Sequence, residues 1–207
     1  MKCIAISDTH GMFRDIKIPD GDVLIHAGDI TRQGRLHELY DFNDWLGEQP
    51  HQHKIVIAGN HDWCFENASK ASRSIITNAN YLQDESVIIN GVKFYGSPWQ
   101  PWFLDWAFNV ERGDKIREKW ALIPNDVDVL ITHGPTYGIL DKVIGGENVG
   151  CEELKKVIDK ISPQFHVCGH IHEAYGTQVI DGTSYINASV NSERYKPINP
   201  PIEFIVM

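Results

Sequence analysis

The stretch MKCIAISDTH, residues 1–10, decides how the rest of the chain is read. Residues 2–7 make a short, mostly apolar run that stops abruptly at Asp8-Thr9-His10-Gly11. A buried strand with this ending carries a carboxylate and an imidazole to the carboxyl edge of a sheet. If the backbone stays extended through Thr9, residues two apart face one side, and Asp8 and His10 can grip one ion. The device recurs along the chain. Apolar run 22–27 ends in Gly28-Asp29, and run 54–58 ends in Gly59-Asn60-His61-Asp62. Run 128–132 ends in His133-Gly134, and run 164–168 ends in Gly169-His170-Ile171-His172.

Between these runs the spacing is helical. Leu36, Leu39, Phe42, Trp45 and Leu46 fall on one helix face, with Gly47 as a stop. Strand-helix alternation predicts parallel pairing with right-handed crossovers, an α/β fold. Further helices are predicted over 67–77, 111–123 and 151–161. Asn90-Gly91 predicts a hairpin turn between strands 86–90 and 92–96. Short strands are expected near 176–180, 184–187 and 202–206. The stretch SPWQPWFLDWAFNV, residues 97–110, holds Trp99, Trp102 and Trp106. Packing is the expected role of such aromatics, with a lesser share in walling a cleft. No repeat, low-complexity tract or linker interrupts the 207 residues, so one domain over 1–207 is expected.

Composition narrows the function. Hydrophobic residues are 42% and charged residues 23%, as in an ordinary water-soluble domain. No apolar run is long enough for a bilayer, and the first run does not read as a signal peptide. Four cysteines lie far apart without a CxxC pair, which fits buried thiols in a reducing cytoplasm. A net charge of −9 argues against a polynucleotide partner, because phosphate contacts need Lys and Arg. It leaves room for a small phosphate ester whose charge is met by metal. Asp62 stands next to His61, but neighbours on an extended backbone point apart, a weak basis for a pair. Arg14 and Arg32 follow strand ends and are expected mainly at the surface. His26, His37, His51, His53 and His166 read as structural or exposed.

The five strand ends together offer two carboxylates, an amide and several imidazoles. That mixture suits Mn, Fe, Zn or Co better than Ca or Mg, and the absence of thiolate argues against a structural zinc site. Eight such side chains exceed the needs of one ion, whereas two ions about 3.5–4 Å apart would use them. The order D-x-H, GD, GNH, lone H before G, then GH-x-H resembles the calcineurin-like metallophosphoesterase superfamily. The segments THGPTYGILD (132–141) and CGHIHEAYG (168–176), with the Trp-rich stretch, are similar to its small metallophosphoesterase-domain, class III-type phosphodiesterase proteins.

The resemblance implies a four-layer double β-sandwich flanked by helices and a dimetal centre, with manganese favoured. It implies that Asp8, His10 and His172 hold the first metal, that Asn60, His133 and His170 hold the second, and that Asp29 bridges them. It leaves His61 as the acid for the leaving group, with a metal-bridging hydroxide as nucleophile. The implied substrate is a small phosphodiester or nucleotide. A metal-dependent nuclease and a nucleotide-binding module with little turnover are the alternatives. Residues 30–34, Ile-Thr-Arg-Gln-Gly, depart from the run that follows the bridging Asp in phosphoprotein phosphatases, which speaks against that role.

Overall fold

The computed structural model describes all 207 residues, and its opening run forms β1 (Lys2–Ile6). Cys3 and Ala5 join one core while Ile4 and Ile6 join another, so both faces of β1 are covered. A strand without a wet face reads as continuous apolar sequence. β2 (Val23–Ala27) and β3 (His53–Ile57) pair in parallel beside it, and the crossover between them is α1 (Leu36–Glu48). The Glu38 carboxylate accepts the Arg35 backbone N–H at 2.9 Å, which satisfies one orphan donor at the start of α1. Leu39, Phe42, Trp45 and Leu46 pack onto Ile4, Ile6, Leu24 and Val56. Truncating a fully buried ring such as Phe42 to alanine costs about 3–5 kcal/mol.

The helix predicted over 67–77 is two helices, and it starts earlier. α2 (Trp63–Asn67) and α3 (Ser69–Ile75) meet at Ala68, whose φ of −138° leaves the helical region. The Ser72 hydroxyl donates to the Cys64 carbonyl at 2.7 Å across that break. β4 (Asn80–Tyr81) then closes this edge of the first sheet.

The second sheet begins with the hairpin β5 (Glu85–Ile89) and β6 (Val92–Ser97). Asn90 and Gly91 both have positive φ, 50° and 85°, as the predicted tight turn requires. β7 (Gln100–Pro101) and β8 (Asn109–Val110) form a small parallel ladder of their own inside the Trp-rich stretch. α4 (Asp114–Trp120) is shorter than the predicted 111–123, because Gly113 precedes it at φ 81°. β9 (Val129–Thr132), α5 (Glu152–Ile161), β10 (Phe165–Cys168), β11 (Gly176–Ile180) and β12 (Thr183–Asn187) follow. The sheet order is β11-β12-β10-β9-β6-β5, and β13 (Ile202–Ile205) returns antiparallel to β1 in the first sheet.

The two sheets pack face to face through Ala5, Ile25, Ile55 and Ile57 on one side and Phe94, Val129, Ile131 and Val167 on the other. α4 and α5 cover the outer face of the second sheet through Ile116, Trp120, Leu154 and Ile158. The result is the four-layer sandwich, with the carboxyl ends of β1, β2, β3, β9 and β10 at one edge. No helix is long and apolar enough to cross a membrane.

Candidate metal centre

At that edge the backbone departs from the extended path expected through Asp8 and His10. Asp8 (φ 58°), His10 (φ 45°), Asp29 (φ 55°) and His170 (φ 69°) all take left-handed conformations. Asp and His tolerate this region better than bulkier residues, at a cost of about 1–3 kcal/mol each. The two side chains therefore converge through a coiled backbone rather than a two-residue period. Hydrogen bonds over-determine the coil: Asp8 N donates to Gly28 O, His10 N to Asp29 O, and Gly11 N to Ile30 O.

The ligand atoms meet across the gap between the sheets. His172 Nε2 lies 3.5 Å from Asp8 Oδ1 and 3.3 Å from His10 Nε2. His10 Nε2 lies 3.7 Å from Asp29 Oδ2, and His133 Nε2 lies 3.4 Å from Asp29 Oδ1. Asn60 Oδ1 is 2.9 Å from His133 Nε2. Three groups result, Asp8-His10-His172, His10-Asp29-His61 and Asp8-Asp29-His133. His170 is the exception. Its ring sits 5.0 Å from that of His133, and its nitrogens belong to none of these groups.

Proton bookkeeping shows what the site wants. His133 Nδ1 donates to Ala27 O at 3.0 Å, and His172 Nδ1 donates to Ser192 O at 2.9 Å. Those bonds leave each neutral ring with a bare Nε2 lone pair aimed at carboxylate oxygens. Asp8 Oδ2 accepts His170 N and Ser189 Oγ at 2.9 and 2.7 Å, but Asp8 Oδ1 is buried with no hydrogen-bond partner. Acceptors facing acceptors in a buried site require a cation. In the chain alone the proton fills that role. Burial opposes charge on His133 and His172, yet the facing Asp29 and Asp8 carboxylates outweigh it and raise both rings to about 9. Burial would raise Asp8 and Asp29 as well, but the imidazoles hold both well below the usual carboxylate range. His10 and His170 are pushed down to about 4 by burial, so their lone pairs are available at neutral pH. The donor set thus fits divalent cations.

The residues 1–174 match the family model described as calcineurin-like phosphoesterase. The chain belongs to that family. Metallophosphoesterase domain-containing protein 1 of Homo sapiens is 46% identical over 224 residues, spanning 96% of this chain and 69% of that protein. A UPF0046 protein of Caenorhabditis elegans is 38% identical, spanning all of this chain and 75% of that one. The crystal structure of TT1561 from Thermus thermophilus shares the fold, with a TM-score of 0.62 at 13% identity over 91% of this chain and 88% of that one. Calcineurin-like phosphoesterases are dimetal-dependent hydrolases, and this chain carries the candidate ligand groups for that chemistry.

Around this phosphoesterase centre the structure places the remaining residues singled out in the sequence. Asp62 is not the partner of His61. It accepts Gly59 N, Ile30 N, Thr31 N and Thr31 Oγ1 at 2.7 to 3.1 Å, tying the β2 loop to the β3 loop. His61 instead places Nδ1 3.3 Å from Arg32 O and stacks on Trp106, centroids 4.3 Å apart. Of the tryptophans, Trp106 walls the cleft, Trp99 packs and donates Nε1 to Asp84, and Trp102 is exposed. Arg14 pairs with Asp41 and Glu48 at the surface, and Arg32 is exposed and does not line the cleft. Gly28 combines a left-handed turn at φ 98° with close approach to His133 and Ala58, whereas Gly59 and Gly169 serve proximity alone. A methyl on Gly59 would collide with Asp29, and one on Gly169 with Ser7 and Asp8.

Sequence reading missed the segment after β12. The chain crosses to the first sheet there, pairing Ser189 with Ser7. Asn191 Nδ2 donates to Asp8 O at 2.7 Å, and Ser192 O holds His172. The signal was present: Asn187, Ser189 and Asn191 alternate behind a buried strand, which marks a polar face that must be satisfied. Tyr195, with φ 54°, was missed too, and its ring stands 4.8 Å from His10 and 5.6 Å from His172.

Proposed function

We propose that this chain is a phosphodiesterase working with two divalent cations, manganese favoured, on a small phosphodiester. One observation carries the reading: carboxylate, amide and imidazole ligand atoms from five strand ends converge in a buried site, where only shared protons hold them together in the chain alone. Asp8, His10 and His172 would hold one cation, Asn60, His133 and His170 the other, and Asp29 would serve both. Such cations supply charge for the phosphoryl oxygens and lower the pKa of a bound water.

The chain does the rest. With Nδ1 turned to the Arg32 carbonyl, His61 keeps Nε2 free for the substrate, and Trp106 fixes the plane of its ring. As the imidazolium, with Nδ1–H on that carbonyl, the ring can donate its Nε2–H to the oxygen leaving phosphorus as the P–O bond breaks and is left neutral. Water supplies the entering oxygen. Phe103, Leu104, Trp106 and Tyr195 wall the cleft of about 340 Å³, while its rim carries Glu173 and Glu193 and no Lys or Arg. A monoanionic diester meets less repulsion there than a dianionic monoester, and a polynucleotide finds no basic track. Four buried free thiols are consistent with a reducing cytoplasm as its setting.

The test is metal analysis paired with turnover. The chain loaded with Mn should hydrolyse bis(p-nitrophenyl) phosphate with a kcat/KM at least tenfold above that for p-nitrophenyl phosphate, and excess chelator should abolish both. One bound cation, or a preference for the monoester, overturns the reading.

A further inference from the structure

Beside the cleft lies a second cavity of about 300 Å³ with a mainly apolar lining. Pro101, Trp102, Phe103, Pro135, Val143 and Val149 supply most of it. The two cavities are continuous in their lining, because Phe103, His170 and Glu173 border both. His61, Trp106 and Tyr195 border only the cleft. A substrate reacting in the cleft therefore reaches the slot past His170, on the side without the acid.

The slot is built rather than accidental. The buried Asp141 carboxylate accepts Gly138 N and Gly150 N, both at 2.9 Å, which organises the loop bearing Val143 and Val149. Arg112 donates to Val149 O at 2.7 Å and Gly150 O at 2.8 Å and pairs with Glu152. Its guanidinium braces the wall and offers no free charge to a ligand. Trp102 and Phe103, adjacent in sequence, are 57% and 61% exposed, a large apolar surface with nothing over it.

We infer that this slot receives the ester substituent that stays on phosphorus, and that this substituent is a flat, uncharged aromatic group. The inference rests on the phosphodiesterase reading. In the reaction, water adds to phosphorus, the P–O bond to the departing alcohol breaks, and His61 protonates that oxygen. The product is a monoester that keeps the aromatic group. The ring faces of Trp102 and Phe103 and the prolines suit a planar partner. An apolar cavity of about 150 Å³ accepts benzene, so the slot holds a larger ring system. A nucleobase would bring polar edges into walls whose polar side chains are His170, Glu173 and an engaged Arg112, leaving donors and acceptors unpaired.

Two p-nitrophenyl diesters with a common leaving group test this, one carrying methyl and one carrying phenyl as the retained group. With the Mn-loaded chain, phenyl should exceed methyl in kcat/KM by about tenfold or more. The ratio should fall several-fold in Trp102→Ala, an exposed position that folding does not need, and in Val149→Trp, which fills the slot. Calorimetry with phenylphosphonate and methylphosphonate, which have no ester bond to break, reads the slot without turnover, and the phenyl compound should bind about tenfold tighter. Turnover of both esters with no phenyl preference in rate or binding overturns the slot and spares the phosphodiesterase reading. Tighter phenyl binding without turnover of either ester keeps the slot and overturns the reading. Neither turnover nor preference overturns both.

Discussion

The first sheet delivers Asp8 and Asp29 to the centre, whereas the second delivers only imidazoles, from His133, His170 and the nearby His172. Three of the left-handed residues, Asp8, His10 and Asp29, also lie on the first sheet. Negative charge and most of the left-handed backbone thus come from one side, and neutral donors, with His170 alone left-handed, from the other. The difference teaches what a cation does here. It would join two sheets whose facing groups otherwise hold each other only through shared protons, so binding should act on the fold as well as on the reaction.

Four experiments bear on that contrast. The strongest is removal of charge from the first sheet. Asp29→Asn should lower kcat by about 10³-fold or more, since several kcal/mol of charge stabilisation goes with it. Both cations should bind more weakly, and full stoichiometry with full activity would contradict the bridging role. His61→Ala touches the first sheet without touching its charge. Here kcat should fall by about 10²-fold, most for poor leaving groups, while metal content by elemental analysis stays unchanged.

Chelation then tests whether the cation joins the sheets. At a concentration near 100 times Kd a bound cation stabilises by about 2.7 kcal/mol. For a chain of this size, excess chelator should lower Tm by roughly 5–10 °C in calorimetry. An unshifted Tm would show that the sheets do not depend on the ion. The smallest effect comes from a device present in both sheets. His26 Nε2 lies 2.9 Å from Thr9 Oγ1 in the first sheet, and His166 Nε2 lies 2.8 Å from Thr132 Oγ1 in the second. Burial lowers both rings from 6.5 to about 3. A ring whose folded pKa is depressed contributes stability that is full above pH 6.5 and is lost as pH falls toward 3. His26→Gln and His166→Gln should each flatten the acid limb of a Tm-against-pH curve by a similar amount, and a steeper limb in either would reject the assignment.

The parts legible in the sequence were those written in period and position. β1, β2, β3, β9 and β10 read as apolar runs because both faces of each are covered, and their polar ends named the ligand candidates. α1 and the Asn90-Gly91 turn were equally plain. Other features depend on what folding brings close. That Asp62 would serve the β2 loop, 32 residues earlier through Ile30 N, is invisible in its neighbourhood of Asn60 and His61. The break at Ala68 lies beside the buried Cys64 and Phe65 and is bridged by the Ser72 hydroxyl, contacts that no local propensity records. Tyr195 and the slot beside His170 come from loops, whose paths over the surface carry no periodic signal.

Gly59 and Gly169 bear on how such a chain is lost or disarmed. Each stands where one extra carbon would strike Asp29 in the first case and Ser7 with Asp8 in the second. Glycine-to-alanine at either place would leave every ligand side chain present and the strands' apolar pattern untouched. A survey that scores proteins by their ligand residues would pass such a chain as intact. The centre is thus encoded partly in atoms that are missing, and heritable loss of its chemistry can begin at positions that touch neither ion nor ester.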